Sequence, residues 1–218
     1  MKKAIFIILI LSLGISPSFA QQYGWVDLTA NLPDTNVYGG LGKVTFIGEQ
    51  GWITPKWYSL PRRIFYTSDG GKTFTTQYLP DDAGRISGIF IRNACEGYII
   101  TDWDSLGNSG KIFHTTDAPN GNWTLLSELS GTGLMSIGFP PYPDTIGYIG
   151  AGAGEVYKII GNSVVYDGSC QTNYDLIGIV FPVSSNEGWA AGCMRIHHRD
   201  PTGWKIDQNF PPGCYTSI

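Results

Sequence analysis

The stretch Ile64–Phe74, IFYTSDGGKTF, decides how the rest of the chain is read. Thr67, Asp69, Gly71, Thr73 and Phe74 bring a hydroxyl, a carboxylate, a glycine, a second hydroxyl and an aromatic together in one short segment. Three readings compete: a catalytic loop, a metal loop and a folding device. The chemistry of a turn favours the third. A carboxylate accepts from nearby backbone N–H groups, glycine takes positive φ, and the aromatic plugs the hairpin. Partial copies recur at Thr115, Asp117, Gly121 and Trp123 and at Asp200, Gly203 and Trp204. Recurrence is what scaffold does.

A second phrase repeats as well. GWI at Gly51, GYI at Gly97, GYI at Gly147 and GWA at Gly188 each follow a hydrophobic run ending near a phenylalanine, at a spacing of 41 to 50 residues. A third segment follows each (RRIFYTSD, GKIFHTTD, GEVYKIIG, MRIHHRD), then a fourth that starts near an aromatic. Four short antiparallel strands joined by Gly, Asn and Asp turns, repeated at this period, describe blades of a β-propeller. A sandwich has no reason to repeat a whole four-strand phrase. The expected fold is all-β, with blades near 43–80, 86–128, 134–168 and 176–212. Ile64–Phe74 then falls at the turn between third and fourth strands of the first blade.

TSDGGKTF resembles the Asp-box of the bacterial neuraminidase repeat, S/T-x-D-x-G-x-T-W/F. Paired with GWI and GWA, it is most similar to exported propellers like the photosystem II stability and assembly factor family. The later copies are degenerate: extra residues precede Gly121, the turn at Pro201 is shorter, and the third blade has no recognisable box. The resemblance implies that Asp69 is structural, on the rim away from the functional face. It also implies an assembly-factor-like role without catalysis.

Composition supports the same class. Glycine and aromatics are abundant, charged residues few, and the formal net charge is −4. An acidic chain is a poor partner for nucleic acid or an anionic membrane. The opening MKKAIFIILILSLGISPSFA reads as a secretory signal peptide, residues 1–20, too short in its apolar run to span a membrane stably. The expected location is therefore secreted, periplasmic or on the surface of a bacterium. Beyond it, Gly24–Pro33 matches the fourth-strand phrase GWKIDQNFPP. It reads as a closing strand with no blade before it, and residues 214–218 read as the start of a further blade. An incomplete ring is expected.

Function should sit where blades differ. Glu49, Glu96, Asp144 and Glu187 each precede the repeated glycine phrase, so they are turn chemistry. Arg63, Lys111 and Arg195 recur before the third strand, which speaks against them too. The second-to-third connections are long in blades one and two, and they gather Trp57, Tyr58, Arg62 and Arg63 near Asp102, Trp103 and Asp104 on the face opposite the Asp69 turn. Inter-blade residues such as Asp81, Asp82 and Arg85 share that face. Exposed aromatics flanked by both charge signs suit a protein or glycan partner, although Trp57 and Trp103 could equally cap their hairpins. No catalytic residue, metal site or cofactor is expected. GAGAGE at Gly150–Glu155 is a turn, and the adjacent His197 and His198 point to opposite faces of a strand. An alternative is a sialidase-type glycoside hydrolase with its catalytic residues in blades outside this chain. That enzyme class needs an arginine cluster and an activated tyrosine, and its Arg-Ile-Pro phrase is missing here. Of the four cysteines, Cys170, Cys193 and Cys214 share one face and could supply a disulfide; Cys95 lies on the other.

Overall fold

The computed structural model describes residues 27–34, 40–56, 62–103, 109–141, 143–170, 172–207 and 209–215. Its strands form four four-stranded antiparallel sheets in chain order. Blade one holds β1 (Leu41–Ile47), β2 (Gln50–Pro55), β3 (Arg63–Thr67) and β4 (Thr75–Tyr78). Blade two holds β5 (Ile86–Ile91), β6 (Gly97–Thr101), β7 (Ser109–Thr115) and β8 (Thr124–Ser130). Blade three holds β9 (Leu134–Gly138), β10 (Gly147–Ala151), β11 (Glu155–Ile160) and β12 (Ser163–Ser169). Blade four holds β13 (Leu176–Ser184), β14 (Glu187–Gly192), β15 (Ile196–Asp200) and β16 (Gly203–Ile206). The inner strands β1, β5, β9 and β13 pack in consecutive pairs. This is a β-propeller arrangement.

Each blade is buried on the faces it shares. All five residues of β3 are buried, because Ile64 and Tyr66 face blade two while Phe65 faces the other way. Trp52, Ile64 and Tyr66 join Ile99, Phe113 and Trp123 between blades one and two. Tyr98, Ile112, Leu134 and Ile149 fill the next interface, and Tyr148, Val156, Leu176 and Phe181 the one after.

The glycine of the repeated phrase has a packing cause. A Cβ at Gly51 would lie 2.3 Å from the Phe46 ring, at Gly97 2.6 Å from Ile91, at Gly147 2.3 Å from Phe139 and at Gly188 2.4 Å from Phe181. In every blade a large apolar side chain near the end of the first strand lies over this glycine. The aromatic that follows it, Trp52, Tyr98 or Tyr148, is buried; only Trp189 of blade four is half-buried.

The described part of the expected closing strand is not a strand: Thr29–Asn31 form a 3-10 turn. In the matching phrase β16 itself ends at Ile206, so the strand-forming counterpart is 24–27, of which only Asp27 is described. Residues 28–34 nevertheless do for blade one what 77–82 do for blade two. Leu32 packs on Phe65 and Phe74 as Leu79 packs with Phe113 and Trp123. Asn31 donates to the Gly71 carbonyl at 2.9 Å, and Gln77 donates to the Ala118 carbonyl at 2.8 Å. Arg63 is ion-paired with Asp34, and Lys111 with Asp82 at 2.6 Å. At the other end, Gly213–Tyr215 pair with the β14–β15 loop through Met194 and Gly192 rather than opening a new sheet. Backbone donors and acceptors need partners, and that loop supplies them. Residues 1–26 and 216–218, with the signal peptide reading, lie outside the described residues.

Candidate binding site at the channel mouth

The four inner strands line one concavity, the channel of the arrangement. Counting three residues back from Phe46, Phe90, Phe139 and Phe181 gives Lys43, Ser87, Ser136 and Gly178, and all four line one cavity of about 210 Å³. Ser87 Oγ donates to the Ile100 carbonyl at 3.2 Å and Ser136 Oγ to the Leu176 carbonyl at 2.6 Å, so both hydroxyls are engaged by the scaffold. Lys43 is the cation among these four equivalent positions. The first-strand repeat contained this signal, but the functional reading looked only at loops and missed it.

Where the inner strands begin, a second cavity of about 280 Å³ brings Lys43 and Met135 together with Arg85 and Asp102. Arg85 and Asp102 are ion-paired. Their backbones are tied as well: the Asp102 amide donates to the Arg85 carbonyl at 2.8 Å, and the Arg85 amide to the Trp103 carbonyl at 3.2 Å. Burial raises the Asp102 carboxyl above the usual carboxylate range, with Arg85 pulling the other way and Asp175 adding to the rise. Arg62 lies close by, its Nε donating to the Ala83 carbonyl at 3.2 Å. Its guanidinium is pushed below the usual arginine range, first by burial and then by Arg85. A Cβ at Gly133 would meet Asp102 Oδ1 at 2.2 Å and Trp103 Nε1 at 3.2 Å. Blade three can therefore start directly against this pair only because residue 133 is glycine.

Of the residues read from the sequence as a binding face, the structure gathers Arg62, Asp102 and Trp103. Arg63 is placed elsewhere: it is buried, over the Phe65 ring at 5.6 Å and paired with Asp34. It latches residues 27–34 to blade one. Trp57, Tyr58 and Asp104 lie outside the described residues. Asp175 went unread because a lone acid between blades has no repeat partner to mark it.

The turns after each third strand sit at the opposite end, beside the first-to-second turns, as the Gly70 amide to Glu49 carbonyl and Ala118 amide to Cys95 carbonyl bonds show. Asp69 accepts from the Thr73 amide at 2.9 Å, Thr73 Oγ at 2.6 Å and Thr67 Oγ at 2.8 Å. These bonds, those from Thr73 first, hold its carboxyl down to about 2. Thr67 Oγ also accepts from the Gly71 amide at 2.9 Å, with Gly70 and Gly71 both at positive φ. Asp117 instead accepts from the side chains of Asn120 and Asn122, and Asp200 from Thr202 and Lys205. Trp123 donates to Gln77 Oε1 at 3.1 Å and Trp204 to Asp167 at 3.3 Å. All three carboxylates are consumed by their own turns.

The histidines are separated as expected of strand neighbours. His197 is buried, and burial lowers its pKa; His198 stacks on Trp189 with centroids 4.8 Å apart. Gly152–Gly154 make a 3-10 turn between β10 and β11. Among the described residues no helix is long and apolar enough to cross a membrane.

Fold and site together define a β-propeller of four-stranded blades with a charged, aromatic channel mouth. No family model matches the sequence, and no curated protein does. Among solved structures, the chain is similar to YCF48 bound to D1 peptide, at 20% identity and a TM-score of 0.52 over 74% of this chain and 50% of that one. It is also similar to a GH74 xyloglucanase from Xanthomonas campestris, at 14% identity and a TM-score of 0.64 over 84% of this chain and 34% of that one. An auxiliary nutrient binding protein from Bacteroides thetaiotaomicron matches at 15% identity and a TM-score of 0.56, over 83% of this chain and 43% of that one. The chain spans half or less of the length of each. These likenesses concern the fold.

Proposed function

We propose that the chain is part of an exported, non-enzymatic propeller that binds a protein segment, or a surface glycan, at the channel mouth. Residues 1–20 act in this reading as a cleaved signal peptide, and the Asp69 turn as an Asp-box with a folding role only. One observation carries the proposal: the Arg85–Asp102 ion pair lines a cavity together with Lys43 of the neighbouring blade, with Arg62 and Trp103 close beside that pair. Two charge signs and an indole around a concavity supply the anchors that extended polypeptides use. Among the described residues, Asp69, Asp117 and Asp200 are engaged by their own turns and Asp34 and Asp82 by latches, which speaks against these five as acid–base groups. YCF48 in complex with a D1 peptide shows that a propeller of similar fold holds a polypeptide.

Selection of displayed peptides against the purified chain tests the reading. Selected peptides should bind and should weaken by about tenfold or more with Arg85→Ala or Trp103→Ala. Binding that ignores both variants would move the site elsewhere. Signal on a glycan array without peptide binding would turn the reading to the glycan, and turnover of a fluorogenic sialoside would replace it with the hydrolase alternative.

A further inference from the structure

The four cysteines occupy very different surroundings. Cys170 is buried between blades three and four, and burial, with Asp167 adding to it, pushes its thiol up to about 12. Cys95 is exposed in a first-to-second turn, where its amide donates to Asn93 Oδ1. Cys193 lies in the β14–β15 loop and Cys214 in the segment beyond blade four, and their Sγ atoms are 3.0 Å apart.

Backbone register explains the approach. The Met194 amide donates to the Gly213 carbonyl at 2.8 Å and the Gly213 amide returns to the Met194 carbonyl at 3.4 Å, so these two residues form a hydrogen-bonded antiparallel pair. The Tyr215 amide donates to the Gly192 carbonyl at 3.3 Å on the other side. Cys193 and Cys214, bridged between them, therefore occupy a non-hydrogen-bonded position, where facing Cα atoms come within about 4.5 Å and side chains lie nearest. That separation falls inside the range a disulfide spans. Met194 takes φ of +79°, which a side chain rarely adopts, and the paired segment holds it there.

We propose that Cys193 and Cys214 form a disulfide that fastens the segment after blade four to the loop of that blade. Two thiols give up two protons and two electrons as the Sγ–Sγ bond forms. A disulfide oxidant, either a small-molecule disulfide or the oxidised cysteine pair of an oxidoreductase, takes both and leaves as two thiols. The hydrogen bond to Cys214, first, and then burial hold the Cys193 thiol above the usual range. The fastening acts near the channel mouth, since the Asp175 carbonyl lies against Gly192 at the end of β14, next to Cys193, and it holds whether or not the mouth binds peptide.

The test begins with the whole chain incubated with oxidised glutathione, denatured in an alkylating reagent without reductant, and digested. Peptide mapping should find Cys193 linked to Cys214, with Cys95 and Cys170 alkylated. Cys170→Ser should keep the link, and Cys214→Ser should leave Cys193 alkylated. Alkylation of both Cys193 and Cys214 in the unaltered chain, or a link to Cys95 or Cys170, overturns the proposal. A second readout follows hydrogen exchange of the Met194 and Tyr215 amides in the folded, linked protein. Reduction should speed it by about tenfold or more, while the β14 and β15 amides stay unchanged. A link whose reduction leaves those two amides unaltered overturns the fastening role.

Discussion

At the residue scale, Asp69 is an acid whose hydrogen-bonding capacity is taken up by its own turn. Its oxygens receive the Thr73 amide, Thr73 Oγ and Thr67 Oγ, so the ion is stabilised by the turn it organises. Because the folded carboxyl is held down to about 2 from an ordinary 3.8, its contribution to stability is complete above about pH 4 and disappears as pH falls through about 2. Asp69→Asn should lower the melting temperature by a few degrees at pH 7, and the gap between variant and wild type should narrow steadily below pH 4. Thermal melts across that range check this. A gap independent of pH would mean that the charge contributes nothing. This turn could be read directly from the sequence because the hydrogen bonds that join Thr67, Asp69, Gly71 and Thr73 are all local. Asp102 could not be understood that way: its partner Arg85 belongs to an inter-blade segment, and its burial comes from Gly133 of the next blade.

At the scale of the element, the Gly–aromatic phrase unites a turn, a ring and an interface. Phe139 is wedged between Phe90, at 5.0 Å, and Tyr98, at 4.8 Å, and Phe181 lies 3.9 Å from Tyr148. Both rings are buried among these neighbours, so a new methyl group has to displace packed side chains. Gly147→Ala and Gly188→Ala should each cost about 1–3 kcal/mol by overpacking. Phe46, 44% exposed, can swing aside, so Gly51→Ala should cost less than about 1 kcal/mol. Urea unfolding of the three variants measures the order, and equal losses would show that the ring contact is not the cause. The phrase itself was legible through repetition. Its meaning was not, because the residue that forbids a Cβ lies on the neighbouring strand, five to eight positions away along the chain.

Across the whole molecule, stability rests on faces shared between blades. Trp52 is fully buried against blade two, and its Nε1 donates to the Ala118 carbonyl at 3.2 Å. Trp52→Ala should remove about 3–5 kcal/mol. In a stacked architecture, where each unit contacts only its neighbours, hydrogen exchange should quicken in blades one and two before blade four; a uniform rise would show that the four blades open as a single unit. Repetition also separated scaffold from candidate. Arg63 and Lys111 recur and prove to be latches to Asp34 and Asp82, whereas Lys43 differs from its three equivalents and faces the channel. The sequence by itself determined the blade, its four strands, its turns and its period, because those depend on alternation and on contacts a few residues apart. Only the tertiary structure decided which charges meet at the channel mouth, which basic residues are latches, and that Cys193 faces Cys214. Each of these is a distance between segments that become neighbours only once the sheets have packed, and no local pattern encodes it.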